Sequence, residues 1–205
     1  MIYELRQYTL RPGCRERLVD LFEREFVESQ ESLGAIVVGH FRDLDRPDMF
    51  VWVRGFADME VRRRALTEFY DGPVWLAHRE TANATMVDSD DVLLLHGDPL
   101  DLPRVEVEAV ASTVVALIAP PGPGPAAALE RIAATPGVRR IGTVRTEHSA
   151  NNFPRLPIRE GEDVVVSFVA YDGDEPAGFA EAVTVGASAR VARLRLEPAR
   201  RSRMR

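Results

Sequence analysis

The chain has 205 residues, 45% of them hydrophobic, and a formal net charge of −6. It contains no lysine, which excludes Schiff-base chemistry, pyridoxal attachment and Walker-type phosphate binding, and it carries no basic stripe ahead of its last residues, so nucleic acid is not an expected partner. No apolar run approaches the roughly 20 residues that cross a bilayer, and Ile2 to Leu10, with Glu4 inside it, does not read as a signal peptide; the expected location is the cytoplasm, with no membrane span.

Ile2 to Leu10 alternates as a strand. Pro12 then opens a helix whose Leu18, Leu21, Phe22, Phe26 and Leu33 recur at helical spacing, and Gly34 closes it. The one cysteine, Cys14, rules out an intrachain disulfide, and beside Arg11, Arg15 and Arg17 it reads as a helix thiol without a role. Ala35 to Arg42 and Asp48 to Phe56 flank an Asp/Pro turn and form a hairpin. Asp58 is a suitable N-cap for a helix carrying Met59, Leu66, Phe69 and Tyr70. A second helix from Val74 to about Asn83 precedes the strand Val92 to Leu95.

This order, β, α, β, β, α, β, is the ferredoxin-like split unit, and it occurs twice. Gly34, Gly39 and Arg42 in the first half recur as Gly137, Gly142 and Arg145 in the second. The second unit reads as strand Val107 to Ala119, helix Pro125 to Ala134, strands Gly137 to Thr146 and Asp163 to Tyr171, a short helix from about Pro176 to Val183, and strand Val191 to Leu196. Pro120 to Pro125 is a turn whose prolines remove the amide donors a dinucleotide loop needs. The domain reading is a first unit at 1–97, a linker at 98–104, a second unit at 105–198, and a basic tail at 199–205 that is expected to be solvated. The expected fold class is α+β, with helices outside an antiparallel sheet.

Three stretches carry candidate site residues. On the strands, Glu4, Arg6 and Tyr8 share a face, as do Val38, His40 and Arg42, and Phe50, Trp52 and Arg54. If His40 lies opposite Trp52 these sets fall on one side, leaving Tyr3, Leu5, Val37, Phe41, Val51 and Val53 for the helices. That charged face is either solvated or an enclosed polar lumen in which Glu4 partners the arginines. On the helix from Val74 to about Asn83, Trp75, His78, Arg79 and Asn83 form a stripe suited to a wall, an anion clamp and an amide donor, or to an interface. The loop Asn151 to Arg159, stiffened by two prolines, holds Arg155 in place or packs against a neighbour. The histidines His40, His78, His96 and His148 lack paired metal-ligand spacing, and no metal is expected.

The blocks MIYELRQYTLRPG (Met1 to Gly13), FVWVRGF (Phe50 to Phe56), FYDGPVWLAHRETANATMVD (Phe69 to Asp88) and NNFPRLPIR (Asn151 to Arg159) resemble the NIPSNAP family of the dimeric α+β barrel superfamily. The resemblance implies two ferredoxin-like units whose free sheet faces meet to close a barrel, within one chain or between chains. It supplies no reaction: related members include cofactor-independent monooxygenases, lactone isomerases, haem-degrading enzymes and proteins that only bind or assemble. The expected function is therefore a cofactor-free oxygenation, isomerisation or dehydration of an aromatic or polyketide-like ligand in the lumen, and the alternative is a non-catalytic binding or assembly protein. Catalysis is assigned to His40 or His78 as base, with Arg155 among the groups that stabilise an oxyanion; Glu4, Arg6, Tyr8, Arg42, Trp52, Arg54, Trp75, Arg79 and Asn83 are assigned to binding. Haem on His40 or His78 is the less favoured cofactor reading. A homo-oligomer is expected.

Overall fold

The computed structural model describes residues 1–102, 112–185 and 191–205. Strand β1 (Ile2–Leu10) is followed by α1 (Arg15–Leu21), a π-helical stretch (Phe22–Phe26) and α2 (Val27–Glu31). Next come β2 (Ile36–Asp43), β3 (Met49–Phe56), α3 (Met59–Tyr70), α4 (Pro73–Asn83) and β4 (Met86–His96). The second half holds β5 (Ser112–Ala119), α5 (Pro123–Ala133), β6 (Arg139–Thr146), β7 (Val165–Asp172), α6 (Phe179–Val185) and β8 (Ala192–Pro198). The part of the expected strand before Ser112 and the end of the expected linker lie outside the described residues. Helix α3 starts where expected, because Asp58 accepts a hydrogen bond from the Val61 N–H at 2.8 Å. No helix among the described residues is long and apolar enough to cross a membrane.

All eight strands join in one closed antiparallel barrel in the order β1-β3-β2-β8-β5-β7-β6-β4. Each half contributes four strands, and the halves meet at two seams, β2 against β8 and β4 against β6. The seams are short: Phe41 to Asp43 pair across the first, and Leu95 and His96 across the second. Closure therefore rests on what fills the barrel. Tyr3, Leu5, Val53, Leu95, Val114, Ile141, Phe168 and Leu196, from seven of the strands, pack there with Phe41 of β2 into one apolar core.

This reverses the expected assignment of faces. Tyr3, Leu5, Phe41, Val51 and Val53 point into the lumen, while Glu4, Arg6, Tyr8, His40, Trp52 and Arg54 lie under the helices. His40 does lie opposite Trp52, the condition under which these sets share a side, and Arg6 pairs with Trp52 from the other flank. A bulge between Val37 and Gly39 separates Val38 from His40, so Val38 joins the lumen core and Val37 the helix side. Charges cannot be satisfied inside a lumen packed with Val, Leu and Phe, whereas the helices carry side chains that can pair with them.

Of the repeated glycines, Gly39 sits at this bulge and Gly142 at the corresponding one in β6. Gly34 and Gly137 take positive φ where a helix gives way to a strand. Gly39 is required for space: a Cβ there would lie 2.4 Å from the buried Phe41 ring and 3.0 Å from Met204. We expect Gly39→Ala to lower the unfolding free energy by about 1–3 kcal/mol, the usual cost of overpacking. Urea denaturation checks this, and an unchanged midpoint would show that the Phe41 ring moves freely.

The basic tail is not solvated. The Ala199 and Met204 N–H groups bond the carbonyls of His40 and Val38 (both 2.9 Å), Met204 is fully buried in the lumen core, and the His40 N–H donates to Ser202 Oγ (3.3 Å). Arg201 pairs with Glu28, and Arg203 with Glu31 at 2.8 Å. The tail's arginines thus neutralise the acidic face of α2 and its π-helical neighbour, and the tail caps the β2 bulge.

Candidate functional site between sheet and helices

The face formed by β1 and β3 carries its charges into a fully buried cluster. Glu4, Arg54 and Arg62 are 0% exposed and Arg6 is 1% exposed. Glu4 Oε2 accepts from Arg6 Nη1 (2.8 Å) and Arg54 Nε (2.7 Å), while Oε1 accepts from Arg62 Nε (2.7 Å). Neutral oxygens take further donors: Arg54 Nη1 bonds Gln30 Oε1 (2.9 Å), and Arg62 Nη1 bonds Asn152 Oδ1 (2.7 Å) and Asn151 Oδ1 (3.2 Å). Burial alone would raise the Glu4 carboxyl, but the three guanidinium groups outweigh it and hold the carboxyl far below its ordinary value. Burial lowers Arg62, Glu4 opposes this, and the like charges of Arg54 and Arg6 lower it again.

In front of this cluster lies a cavity of about 100 Å³. Its walls are aromatic: Tyr8, Phe50 and Trp52 from the sheet, Phe22 and Phe26 from the π-helical stretch, and Phe69, Tyr70 and Trp75 from α3 and α4. The rings interlock edge to face, with Phe22 and Trp52 centroids 4.9 Å apart and Tyr70 and Trp75 also 4.9 Å apart. The extra residue of a π-helical turn changes which side chains face the sheet, and here Phe22 and Phe26 both do. Leu18, Gln30, Asn83, Met86, Ser89 and Leu156 complete the lining.

Two polar groups on this wall are notable. Arg6 Nε donates to Tyr8 Oη at 2.9 Å, which uses an acceptor site of the phenol and leaves its proton free to be given elsewhere. The Trp52 indole N–H is buried and has no hydrogen-bond partner among the described residues. Gln30 is tied at both ends, its amide donating to the Phe26 carbonyl (3.0 Å) while its oxygen accepts from Arg54. Burial raises the Tyr70 phenol above its ordinary value, against the pull of Arg54, so it stays protonated.

Of the residues expected to form the site, Tyr8, Trp52, Trp75 and Asn83 line the cavity, and Glu4, Arg6 and Arg54 stand directly behind it. The others do not reach it. His40 is buried with its Nε2 3.0 Å from Glu23, and His78 lies 3.4 Å from Glu25. Burial would raise Glu23, but the bond to His40 and the Arg201 N–H bring it down to about 2, so this carboxylate is committed to structure. Arg42 turns outward to Glu16 (2.5 Å). Arg79 is exposed. Arg155 is 55% exposed and pairs with Asp71 at 2.6 Å.

The loop at 151–159 nonetheless serves the site through other residues. Asn151 and Asn152 hold Arg62, Phe153 stacks on Tyr70 (5.8 Å), and Leu156 lines the cavity. It is an arm of the second unit laid across the first. We expect Arg155→Ala to change the unfolding free energy by less than about 1 kcal/mol, as for other exposed pairs, and to leave ligand affinity unaltered. A marked loss of affinity in a titration would return Arg155 to the site.

Arg62, Gln30 and Tyr70 were missed in the sequence. Arg62 had a signal: with Ala65, Leu66, Phe69 and Tyr70 it falls at helical spacing on the buried stripe of α3, where a charge needs a partner.

Among the described residues the second unit has no counterpart of this site. With the bulges superposed, Gly39 opposite Val53 matches Gly142 opposite Phe168, so Glu4, Arg54 and Arg6 correspond to Val115, Val169 and Leu117. Those three pack with Leu129, Ile132 and Phe179 into an apolar cluster under α5 and α6. Among the described residues no group of three or more His, Cys, Asp or Glu could hold a metal ion.

Two ferredoxin-like units closed into one barrel define a protein of dimeric α+β barrel type, with its aromatic cavity beneath the helices of the first unit. Residues 3–96 match the NIPSNAP family model, so that first unit is a NIPSNAP domain. The chain resembles the crystal structure of a "putative monooxygenase" from Lactobacillus acidophilus NCFM at 12% identity, covering 96% of this chain and 93% of that one, with a TM-score of 0.60. It also resembles an anthrone oxidase-like protein (13% identity, 97% and 91% covered, TM-score 0.52) and, over 46% of its length, a NIPSNAP family protein of unknown function from Agrobacterium tumefaciens str. C58 (23% identity, 85% of that chain, TM-score 0.43). None of the curated proteins compared matches the chain.

Proposed function

We propose that this protein is a small-molecule enzyme of cofactor-independent type, which binds a planar phenol or enol in the cavity between β1, β3 and the helices. The observation that carries this reading is the buried cationic cluster behind an aromatic wall whose Tyr8 hydroxyl and Trp52 N–H are free to donate. Such preorganised donors stabilise a developing oxyanion and contribute most where water is excluded. No carboxylate or imidazole is among the residues lining the cavity, so the wall stabilises a conjugate base rather than abstracting a proton from carbon. Of the reactions considered, oxygenation of an already acidic phenol or enol, with dioxygen as co-substrate, asks least of these residues. The names of the monooxygenase and anthrone oxidase-like neighbours point the same way, as an analogy of fold.

Size narrows the ligand. A cavity of about 150 Å³ accommodates benzene, so about 100 Å³ takes one small ring unless α4 or the 151–159 arm shifts. A polyketide-like ligand requires that shift. Haem does not fit: the cavity is too small for a porphyrin, and His40 and His78 are engaged by Glu23 and Glu25.

The second reading, a non-catalytic binding or assembly protein, draws on the filled lumen. One experiment separates the two. The chain's two tryptophans, Trp52 and Trp75, both line the cavity, so a bound ligand changes their fluorescence. Phenols and enols of one to three rings are titrated under air while dioxygen uptake and products are followed. Fluorescence change with turnover supports the enzyme, change without turnover supports the binding protein, and no change with any compound sinks the site itself.

A further inference from the structure

Charge balance says more about the ligand. Among the described residues three guanidinium groups meet a single carboxylate, which leaves two positive charges sealed behind the cavity wall. Other donors, Arg6 Nε, Arg54 Nη1 and Arg62 Nη1, are met by neutral oxygens, on Tyr8, Gln30, Asn151 and Asn152. The Nη2 atoms of Arg54 and Arg62 lie 2.7 Å from Glu4 yet lack hydrogen-bond geometry, so the single carboxylate is oversubscribed. Uncompensated buried charge is expensive, and an anion entering the cavity supplies what the protein leaves out.

A route for that compensation is present. Arg6 Nε donates to the Tyr8 hydroxyl, whose own proton can then be donated to a ligand, so the cationic charge is felt one hydrogen bond further out. The Arg6 and Arg54 guanidinium carbons lie 5.8 and 4.9 Å from the Trp52 ring centroid, and the Trp52 N–H is buried without a partner. Tyr8 and Trp52 stand edge to face, 6.1 Å between centroids, on neighbouring strands.

We propose that the cavity binds its ligand as a monoanion, a phenolate or enolate whose oxygen accepts from Tyr8 Oη and Trp52 Nε1, and that it discriminates against neutral compounds of the same shape. This rests on the small-molecule reading above. It goes further by stating the charge form that is recognised and the two donors that recognise it.

The test uses the full chain and three single-ring probes at neutral pH: pentafluorophenol, which is ionised there; phenol, which is not; and pentafluorobenzene, which has no hydroxyl. Dissociation constants come from tryptophan fluorescence, checked by calorimetry. Pentafluorophenolate should bind about tenfold or more tightly than either neutral probe, the gain expected of a charge-assisted hydrogen bond. In Tyr8→Phe, which keeps the ring and its packing, that preference should shrink to within about threefold. Equal affinity of the wild type for all three probes overturns the anion inference and leaves the site standing. An undiminished preference in Tyr8→Phe overturns the assignment of the donor. Failure of every probe to bind overturns the inference together with the site.

Discussion

Replacing Glu4 by glutamine should destabilise the chain by about 3–5 kcal/mol, the cost of removing one partner from a buried ionic group. The change is nearly isosteric, so packing is retained while three buried guanidinium groups lose the one carboxylate they share among the described residues. Urea denaturation should show a lower midpoint with an unchanged slope. The pH dependence gives an independent sign. The folded Glu4 carboxyl is held far below its ordinary value near 4.5, so its contribution is complete above that value and disappears as pH falls through the depressed one. Wild-type protein should therefore lose this contribution progressively as pH falls below about 4.5, where the unfolded carboxyl takes up a proton and the folded Glu4 does not, and Glu4→Gln should lack that part of the acid-side dependence. Glu23, brought down to about 2, gives a contribution that is complete above about 4.5 and is lost between about 4.5 and 2 in both proteins. A variant as stable as wild type at neutral pH would mean the cluster does not need its carboxylate.

The second large effect concerns Tyr8. Tyr8→Phe should lower turnover of a phenol or enol substrate by about a hundredfold or more, the usual loss on removing one donor to a developing oxyanion. The ring stays in place against Phe50 and Trp52, but the buried Arg6 Nε loses its acceptor, so a stability loss of about 1–3 kcal/mol should accompany the kinetic effect. Steady-state kinetics decide the point: an interaction made mainly in the transition state lowers kcat and kcat/KM together, whereas a rise in KM alone marks simple binding. His40→Ala serves as contrast. His40 lies outside the cavity with Glu23 and the tail, so its loss should appear mainly as instability.

The fold was legible because its signals are local. Asp58 caps α3, the strand alternation grouped Glu4, Arg6 and Tyr8, and Trp52 and Arg54, by face, and the glycines recurring at 34 and 39, then 137 and 142, marked two copies of one unit. The NIPSNAP blocks named the barrel type, and residues 3–96 match that family. The site was only partly legible. Alternation told which residues share a face but not which face meets the helices, and the apolar set was given to the wrong side. The tail showed the same gap, since its arginines read as solvated until Glu23, Glu28 and Glu31 were brought beside them.

Sequence by itself determined the two-unit architecture, the place of the first hairpin, and which residues of each strand share a face, Glu4 with Arg6 and Tyr8 and Trp52 with Arg54, because propensity, periodicity and turn chemistry act over a few residues. Only the tertiary structure decided that this group lies beneath helices instead of inside the barrel. Glu4 finds Arg54 and Arg62 from 50 and 58 residues away, and Asn152 reaches Arg62 from 90. Ionic partners across such separations are selected by whichever packing leaves the least buried charge unmet, and that is settled by the whole chain at once.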